Sequence, residues 1–294
     1  MTAVGHEVLV IGDALLDVSV SPIQSVRPGA DVPAAIRVGP GGQGANLAVR
    51  LARRGVRVGL VGGLGAGTAA TLVRDALRAE GVELIAVPVS ETGTVVIMVD
   101  TRGERTMLSQ RSPFAAGAAR AMPPDPGWII VSGYLLLEAD AHELATAVAA
   151  RSSRRVVLGC AMPDAAAATD WVSAAAAMRP DLLVLNQDEA EDIELGPVPT
   201  AGVVITSAHL ASATIAGVSA EARAPAGEPA IDTSGAGDAF AAGLIAFLSR
   251  VDWPPSKSAL EAALADATRL ASAVARTPGA QGRVAGERPA TLRQ

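Results

Sequence analysis

The stretch Ile231-Asp232-Thr233-Ser234-Gly235-Ala236-Gly237-Asp238-Ala239-Phe240 sets three small residues between two aspartates, and a helix-compatible run to Leu248 follows. A tight turn that feeds a helix N-terminus leaves backbone N–H groups unpaired and pointing outward, so it can hold an anion. Glycine lets that backbone approach a phosphate closely. Asp238 stands at the start of the helix, where the dipole favours an ionised carboxylate. A carboxylate beside an anion hole can deprotonate a hydroxyl and steady the phosphoryl group it attacks. The competing reading is structural: aspartate is a frequent helix cap, and Asp238 can be one.

Three further groups carry chemistry. Asp13 and Asp17 follow the apolar run Glu7–Ile11, at the strand end where open α/β sheets place ligands; either can also be a turn residue. The run Gly39-Pro40-Gly41-Gly42-Gln43-Gly44-Ala45-Asn46 formally matches a dinucleotide fingerprint, Gly39-x-Gly41-x-x-Gly44. That fingerprint should follow the first strand directly, whereas this one lies well downstream of it. The alternative is a glycine-rich turn that brings backbone amides and Asn46, both donor and acceptor, close to the hydroxyls of a small polar ligand. Asn186-Gln187-Asp188-Glu189 opens a helix after a strand. Asn186 and Glu189 can form a capping box, or they can stand near Mg²⁺ and its waters at the sheet edge.

The elements that must position these residues alternate. Strands are expected at 7–11, 57–62, 83–87, 128–132, 155–159, 182–185 and 202–206, with a short one near 213–215. Helices are expected at 45–54, 69–79, 141–151, 165–178, 189–194, 238–249 and 258–275. Alternation of this kind predicts a mainly parallel sheet covered on both faces. Two segments differ in texture. Residues 18–38 hold short β-prone pieces broken by proline, and Thr94–Val99, a turn at Thr101–Glu104 and Arg105–Ser109 read as a hairpin. Together they predict one small β-structure, separate from the main sheet, that covers a site.

The chain has 294 residues and a formal net charge of −6; the length suits one large α/β domain, with or without a small insertion, or two compact ones. The acidic balance argues against nucleic acid and anionic membranes as partners. No apolar run approaches the roughly 18 residues of a membrane span. Met1–Ile11 lacks the basic region and cleavage site of a signal peptide. The single cysteine, Cys160, forms no internal disulfide, so a cytoplasmic location is expected. Lys257 is the only lysine, and it lies outside any G-x-x-x-x-G-K-[ST] loop, which excludes a Walker P-loop and a protein kinase. No G-x-S-x-G or H-E-x-x-H occurs, and His6, His142 and His209 lack zinc-ligand spacing.

Taken together, Gly41-Gly42-Gln43-Gly44-Ala45-Asn46, Asn186-x-x-Glu189, Asp232-Thr233-Ser234-Gly235-Ala236-Gly237-Asp238 and the tail Ala275–Gln281 resemble the ribokinase-like, or PfkB, carbohydrate kinase family over nearly the whole chain. The resemblance implies a three-layer αβα sandwich with a mainly parallel sheet, one domain over 1–294 and a β-sheet lid from about 14–39 and 91–112. It implies that Asp238 is the catalytic base and that the amides of Gly235, Ala236 and Gly237 form the anion hole. Asp17, Gly41, Gly42 and Asn46 would hold the sugar, and Asn186 and Glu189 would organise Mg²⁺ and the phosphates. Asp232, Ser234 and the loop at Gly279 would hold a monovalent cation such as K⁺. The activity implied is ATP-dependent phosphorylation of a hydroxyl on a small sugar; the alternatives are a nucleoside kinase or a non-catalytic, ligand-binding homologue. A lid of strands can also pair edge to edge into a homodimer. The sequence departs from the family pattern in places. The nucleotide-side T-x-G-x-x-G reads Thr206-Ser207-Ala208-His209-Leu210-Ala211, so ATP binding should suffer if either alanine position needs φ > 0. Gly159-Cys160-Ala161 lacks the Asp or Asn that many members carry there, and Gln43 replaces the lysine of ribokinases.

Overall fold

A computed structural model describes residues 6–100, 105–124, 126–193, 195–196, 198–227 and 230–288. The expected turn at Thr101–Glu104 and the expected helix end at Glu194 lie outside the described residues.

The chain runs β1 (Val8–Ile11), β2 (Leu15–Pro22), β3 (Ala34–Gly41), α1 (Gln43–Arg53), β4 (Val58–Leu64), α2 (Thr68–Ala79), β5 (Glu83–Pro88), β6 (Thr94–Val99) and β7 (Arg105–Gln110). Then come α3 (Ala115–Ala121), β8 (Trp128–Val131), a 3-10 turn (Gly133–Leu137), α4 (Ala141–Ala149), β9 (Arg154–Leu158), α5 (Ala165–Met178), β10 (Leu182–Asn186) and α6 (Gln187–Asp192). The last elements are β11 (Gly202–Thr206), β12 (Leu210–Ile215), β13 (Val218–Arg223), α7 (Ala236–Leu248) and α8 (Lys257–Ala275).

Nine strands form the main sheet in the order β13-β12-β11-β10-β9-β8-β1-β4-β5. It is parallel from β5 to β11, and β12 and β13 join antiparallel. Successive side chains of a strand point to opposite faces, and in β1 both faces are covered. Val8 and Val10 pack with α1, α2, α7 and α8, while Leu9 and Ile11 pack with α3, α4 and α5. These two cores, built mainly from Val, Leu, Ile and Ala with a few aromatics such as Trp171 and Phe240, make the three layers.

The β-prone segments form a separate four-stranded sheet, β3-β2-β6-β7. Its centre is the parallel pair β2/β6, which joins residues such as Val18 and Val96 that no turn connects. The fingerprint glycines are placed by this sheet: Gly39 and Gly41 belong to β3, outside the main sheet, so they do not follow a core strand as a dinucleotide site requires.

Three elements go beyond the sequence reading. The short strand near Ala213 is the whole of β12, paired with an unforeseen β13 across Ala216-Gly217, both at positive φ (48° and 82°). This is a two-residue hairpin turn without the usual Asn-Gly signal. The unforeseen α3 receives its N-terminal anion from a distant residue: Glu138 accepts the N–H groups of Phe114 and Ala115 at 2.8 and 2.7 Å. The 3-10 turn after β8 is likewise too short for any periodicity to reveal.

Candidate active site

The site gathers where β1, β8, β9 and β10 end and the lid begins. Gln43, the first residue of α1, ties two of these ends, those of β8 and β9, together. Its Oε1 accepts from Ser132 Oγ at 2.7 Å and from the Gly133 N–H at 3.2 Å, and its Nε2 donates to the Gly159 carbonyl at 2.9 Å. The Ala45 N–H donates to the Asp13 carbonyl at 2.9 Å, which docks α1 on the end of β1. One turn into that helix, buried Asn46 donates from Nδ2 to Asp238 Oδ2 at 3.0 Å and accepts at Oδ1 from Gln281 Nε2 at 3.0 Å.

α7 starts two residues earlier than its pattern suggests, at Ala236, with Gly235 as N-cap at φ 72° and no side-chain cap. Asp238 therefore sits inside the first turn and is not the cap; its carboxylate turns to Asn46. Gly235 is required twice over: its φ is left-handed, and a Cβ there would stand 2.8 Å from the Ala280 carbonyl oxygen. Of the three amides expected in the anion hole, that of Ala236 donates to the Thr233 carbonyl at 3.2 Å, which closes the turn.

Asp17 lies on β2, on the lid face turned to the core, beside the end of β3. A Cβ on Gly41 would collide with the Asp17 carboxylate, so glycine there makes room for the acid. Gly42 is the N-cap of α1. Burial pushes Asp17 up to about 6, against the opposing pull of Arg111. Burial likewise raises Asp238 to about 7; Asp17 and Asp13 add to the rise, while the Asn46 hydrogen bond and Arg50 oppose it. A carboxylate near 7 is matched to general-base work at neutral pH.

Two groups near Asp17 were not singled out as site residues. Asp13, noted only as a strand-end acid, is buried and pairs with Arg111 NH1 at 2.9 Å, and that guanidinium lies 4.0 Å over the Tyr134 ring. Arg111 follows the hairpin strand β7 by one residue, and no motif marks it. With Ala14, Leu15, Gly63 and Gly93 they line a small cleft at the lid hinge. Cys160, behind them, is buried, which pushes its thiol up to about 12.

On the opposite side of the sheet edge, Asn186 caps α6 and forms a full capping box. Its side chain accepts from the Glu189 N–H, and Glu189 accepts from the Asn186 N–H, both at 2.8 Å. Burial raises the Glu189 carboxyl above its ordinary range. Thr206 ends β11; Ala208 is exposed in the following turn, and Ala211 is buried in β12 opposite Thr206. Neither alanine is among the described non-glycine residues with positive φ, so the backbone there does not demand glycine. Asp232 joins two loops: its carboxylate accepts from the Ser234 N–H at 2.9 Å and from the Gly279 N–H at 2.8 Å. Among the described residues no group of three or more His, Cys, Asp or Glu side chains is arranged to hold a metal ion, and no helix is long and apolar enough to cross a membrane.

A three-layer α/β core with a β-sheet lid, and an aspartate at a glycine-lined helix start beneath that lid, define a ribokinase-like fold. The family model described as pfkB family carbohydrate kinase matches residues 6–285, and the chain belongs to that family. It is 28% identical to a fructokinase of Klebsiella pneumoniae over 254 residues, which cover 77% of this chain and 82% of that protein. Among solved structures it resembles ribokinase from Thermotoga maritima, with TM-score 0.75, 18% identity, and 95% of this chain and 97% of the other covered. Adenosine kinase from Sinorhizobium meliloti gives TM-score 0.75 at 18% identity, with 95% and 96% covered.

Proposed function

We propose that this protein is an ATP-dependent kinase that phosphorylates a hydroxyl, a primary one, on a small sugar or sugar-like molecule in the cytoplasm. The observation that carries the reading is the Asn46–Asp238 pair at the start of α7, with the carboxyl raised to about 7 by burial. Asp17, Gly41, Gly42 and Asn46 bind the acceptor under the lid. Asp238 accepts the hydroxyl proton, and the N–H groups of the Gly235–Gly237 turn face the transferred group, with Ala236 released from Thr233 where it takes part. Asn186, Glu189 and Thr206 lie on the nucleotide side, with Ala208 and Ala211 in the glycine positions of the family pattern.

Mg²⁺ bound to ATP supplies charge neutralisation on the phosphates. Glu189, at the start of α6, would hold it through water, in keeping with the waters Mg²⁺ retains. Asp232, whose carboxylate joins the Ser234 and Gly279 loops, would with Ser234 and the Gly279 loop supply the oxygen ligands for a monovalent cation such as K⁺. ADP release from ATP across a panel of sugars, sugar acids and nucleosides, with and without K⁺, tests the reading. Release with a sugar supports it. Release only with nucleosides makes the protein a nucleoside kinase, and binding of both ligands without release makes it a non-catalytic homologue.

A further inference from the structure

Behind the site lies an ionic network that the proposed chemistry leaves unused. Arg50 on α1 is fully buried, and its NH1 pairs with Glu287 Oε1 at 2.7 Å, where only 2% of the Glu287 side chain is exposed. Its NH2 donates to the Ala280 carbonyl at 2.9 Å. Arg53, on the same helix, donates to the Gln281 carbonyl at 2.9 Å and pairs with Glu80 at 2.8 Å and Glu287 at 3.4 Å. Arg283 closes the network on Glu80 at 2.9 Å. Residues 279–288 thus lie as a strap along α1. Among the described residues, Arg50 Nε is buried without a partner. Buried ion pairs add little net stability over apolar packing, so stability alone is a poor account of this one.

The strap touches the site at two points: Ala280 abuts Gly235, and Gln281 holds Asn46, which holds Asp238. We propose that Arg50 is a positioning residue for phosphoryl transfer: by gripping the Ala280 carbonyl and the Glu287 carboxylate at once, it fixes the strap that sets the Gln281–Asn46–Asp238 chain and the Gly235 turn. This rests on the reading of Asp238 as the base. The charged groups that act on Asp238 are Asp13 beyond β1, Asp17 on β2, Tyr134 in the 3-10 turn when ionised, and Arg50 on α1; Asn46 is neutral. Of these charges only Arg50 favours the ionised base.

The test uses three variants of the full chain. The titration of the Asp238 carboxyl is followed by carbon-13 NMR, alongside the pH profile of kcat/KM. Arg50→Met removes the favourable charge, and the Asp238 titration should move up by about half a pH unit or more. Glu287→Gln strips Arg50 of its countercharge and should move it down. Arg50→Lys keeps the charge but lacks the two-pronged grip, so the titration should stay in place while kcat falls about tenfold or more through loss of alignment. A purely structural residue would lower Tm while kcat of the folded Arg50→Lys protein stayed normal; shifts of the same sign or none in Arg50→Met and Glu287→Gln, or an unchanged kcat in Arg50→Lys, overturn the proposal. If Arg50→Met does not fold, Glu287→Gln and Arg50→Lys still decide it, because an unmoved titration in Glu287→Gln overturns it. The NMR titration reads the network whether or not ADP is released, so failure of the kinase reading would show separately, as a wild-type protein without turnover.

Discussion

At the residue scale the structure changes what Asp238 can be. The sequence allowed a helix cap, but the cap is Gly235, and the Asp238 carboxylate points to Asn46. Asp238→Asn keeps the size and that hydrogen bond and removes only proton acceptance. General-base catalysis is worth about 10²–10⁴-fold, so kcat should fall at least about a hundredfold with acceptor and ATP binding nearly unchanged. Stability gives a second, independent sign. The folded pKa, about 7, lies above the ordinary 3.8, so the folded protein binds more protons than the unfolded chain between those values, and stability falls as pH rises through that window. The asparagine variant lacks this penalty, so its Tm at pH 8 should equal or exceed that of the wild type; a markedly lower Tm would show that the charge is compensated in the fold. On the proposed reading, Asp17→Ala would remove a hydrogen bond from a charged partner to the acceptor, worth roughly 1.5–3 kcal/mol. It should reduce kcat/KM for the acceptor by about tenfold or more, and an unchanged value would remove Asp17 from the site.

At the element scale the question is which strands and turns tolerate their residues. The two alanines in the nucleotide-side motif looked costly because the family pattern places glycine there. In the structure Ala211 is an ordinary strand residue, buried in the core opposite Thr206, and Ala208 lies exposed in the turn. Neither stands at positive φ among the described residues. Restoring glycine at both should therefore leave nucleotide affinity unchanged within a factor of about two, while Ala211→Gly lowers stability by about 0.5–1 kcal/mol through lost backbone order. Calorimetric titration of nucleotide onto both proteins checks this; a clear gain with glycine would mean that a Cβ blocks the nucleotide. The Asn186–Glu189 segment shows the converse. Its capping box is fully formed, so the two side chains proposed for Mg²⁺ and its waters already serve α6 locally, and sequence alone could not rank the two uses.

At the scale of the whole molecule the lid has a face with exposed apolar residues. Residues in register share a face, so Val18, Val38, Val96 and Leu108 lie on one side, with Val20 and Ile36 beside them. Ile36, Val38 and Leu108 are exposed. The opposite side carries buried Leu15, Val95 and Ile97 together with Asp17. Exposed apolar residues on an open sheet support the homodimer suggested by its edge strands. The double variant Val38→Asp and Leu108→Asp should sediment as a monomer where the wild type sediments as a dimer, and a monomeric wild type would dismiss the idea.

Motif order and alternation were legible in the chain because they are local. A strand buried on both faces must read as a continuous apolar run, as Val8–Ile11 does, and a turn with a left-handed, closely packed position must read as small residues, as Gly235–Gly237 does. The lid was legible as β-texture, since broken, proline-containing strands do not fit a parallel core. Tertiary structure decided the pairing of β2 with β6, the meeting of Asp13 with Arg111, and the strap that joins Arg50 to Glu287 across 237 positions of sequence. Those contacts depend on which charged groups folding brings into the same buried space. Burial makes an unpaired charge costly and so makes the partner necessary, but a partner's identity leaves no period or spacing in the sequence.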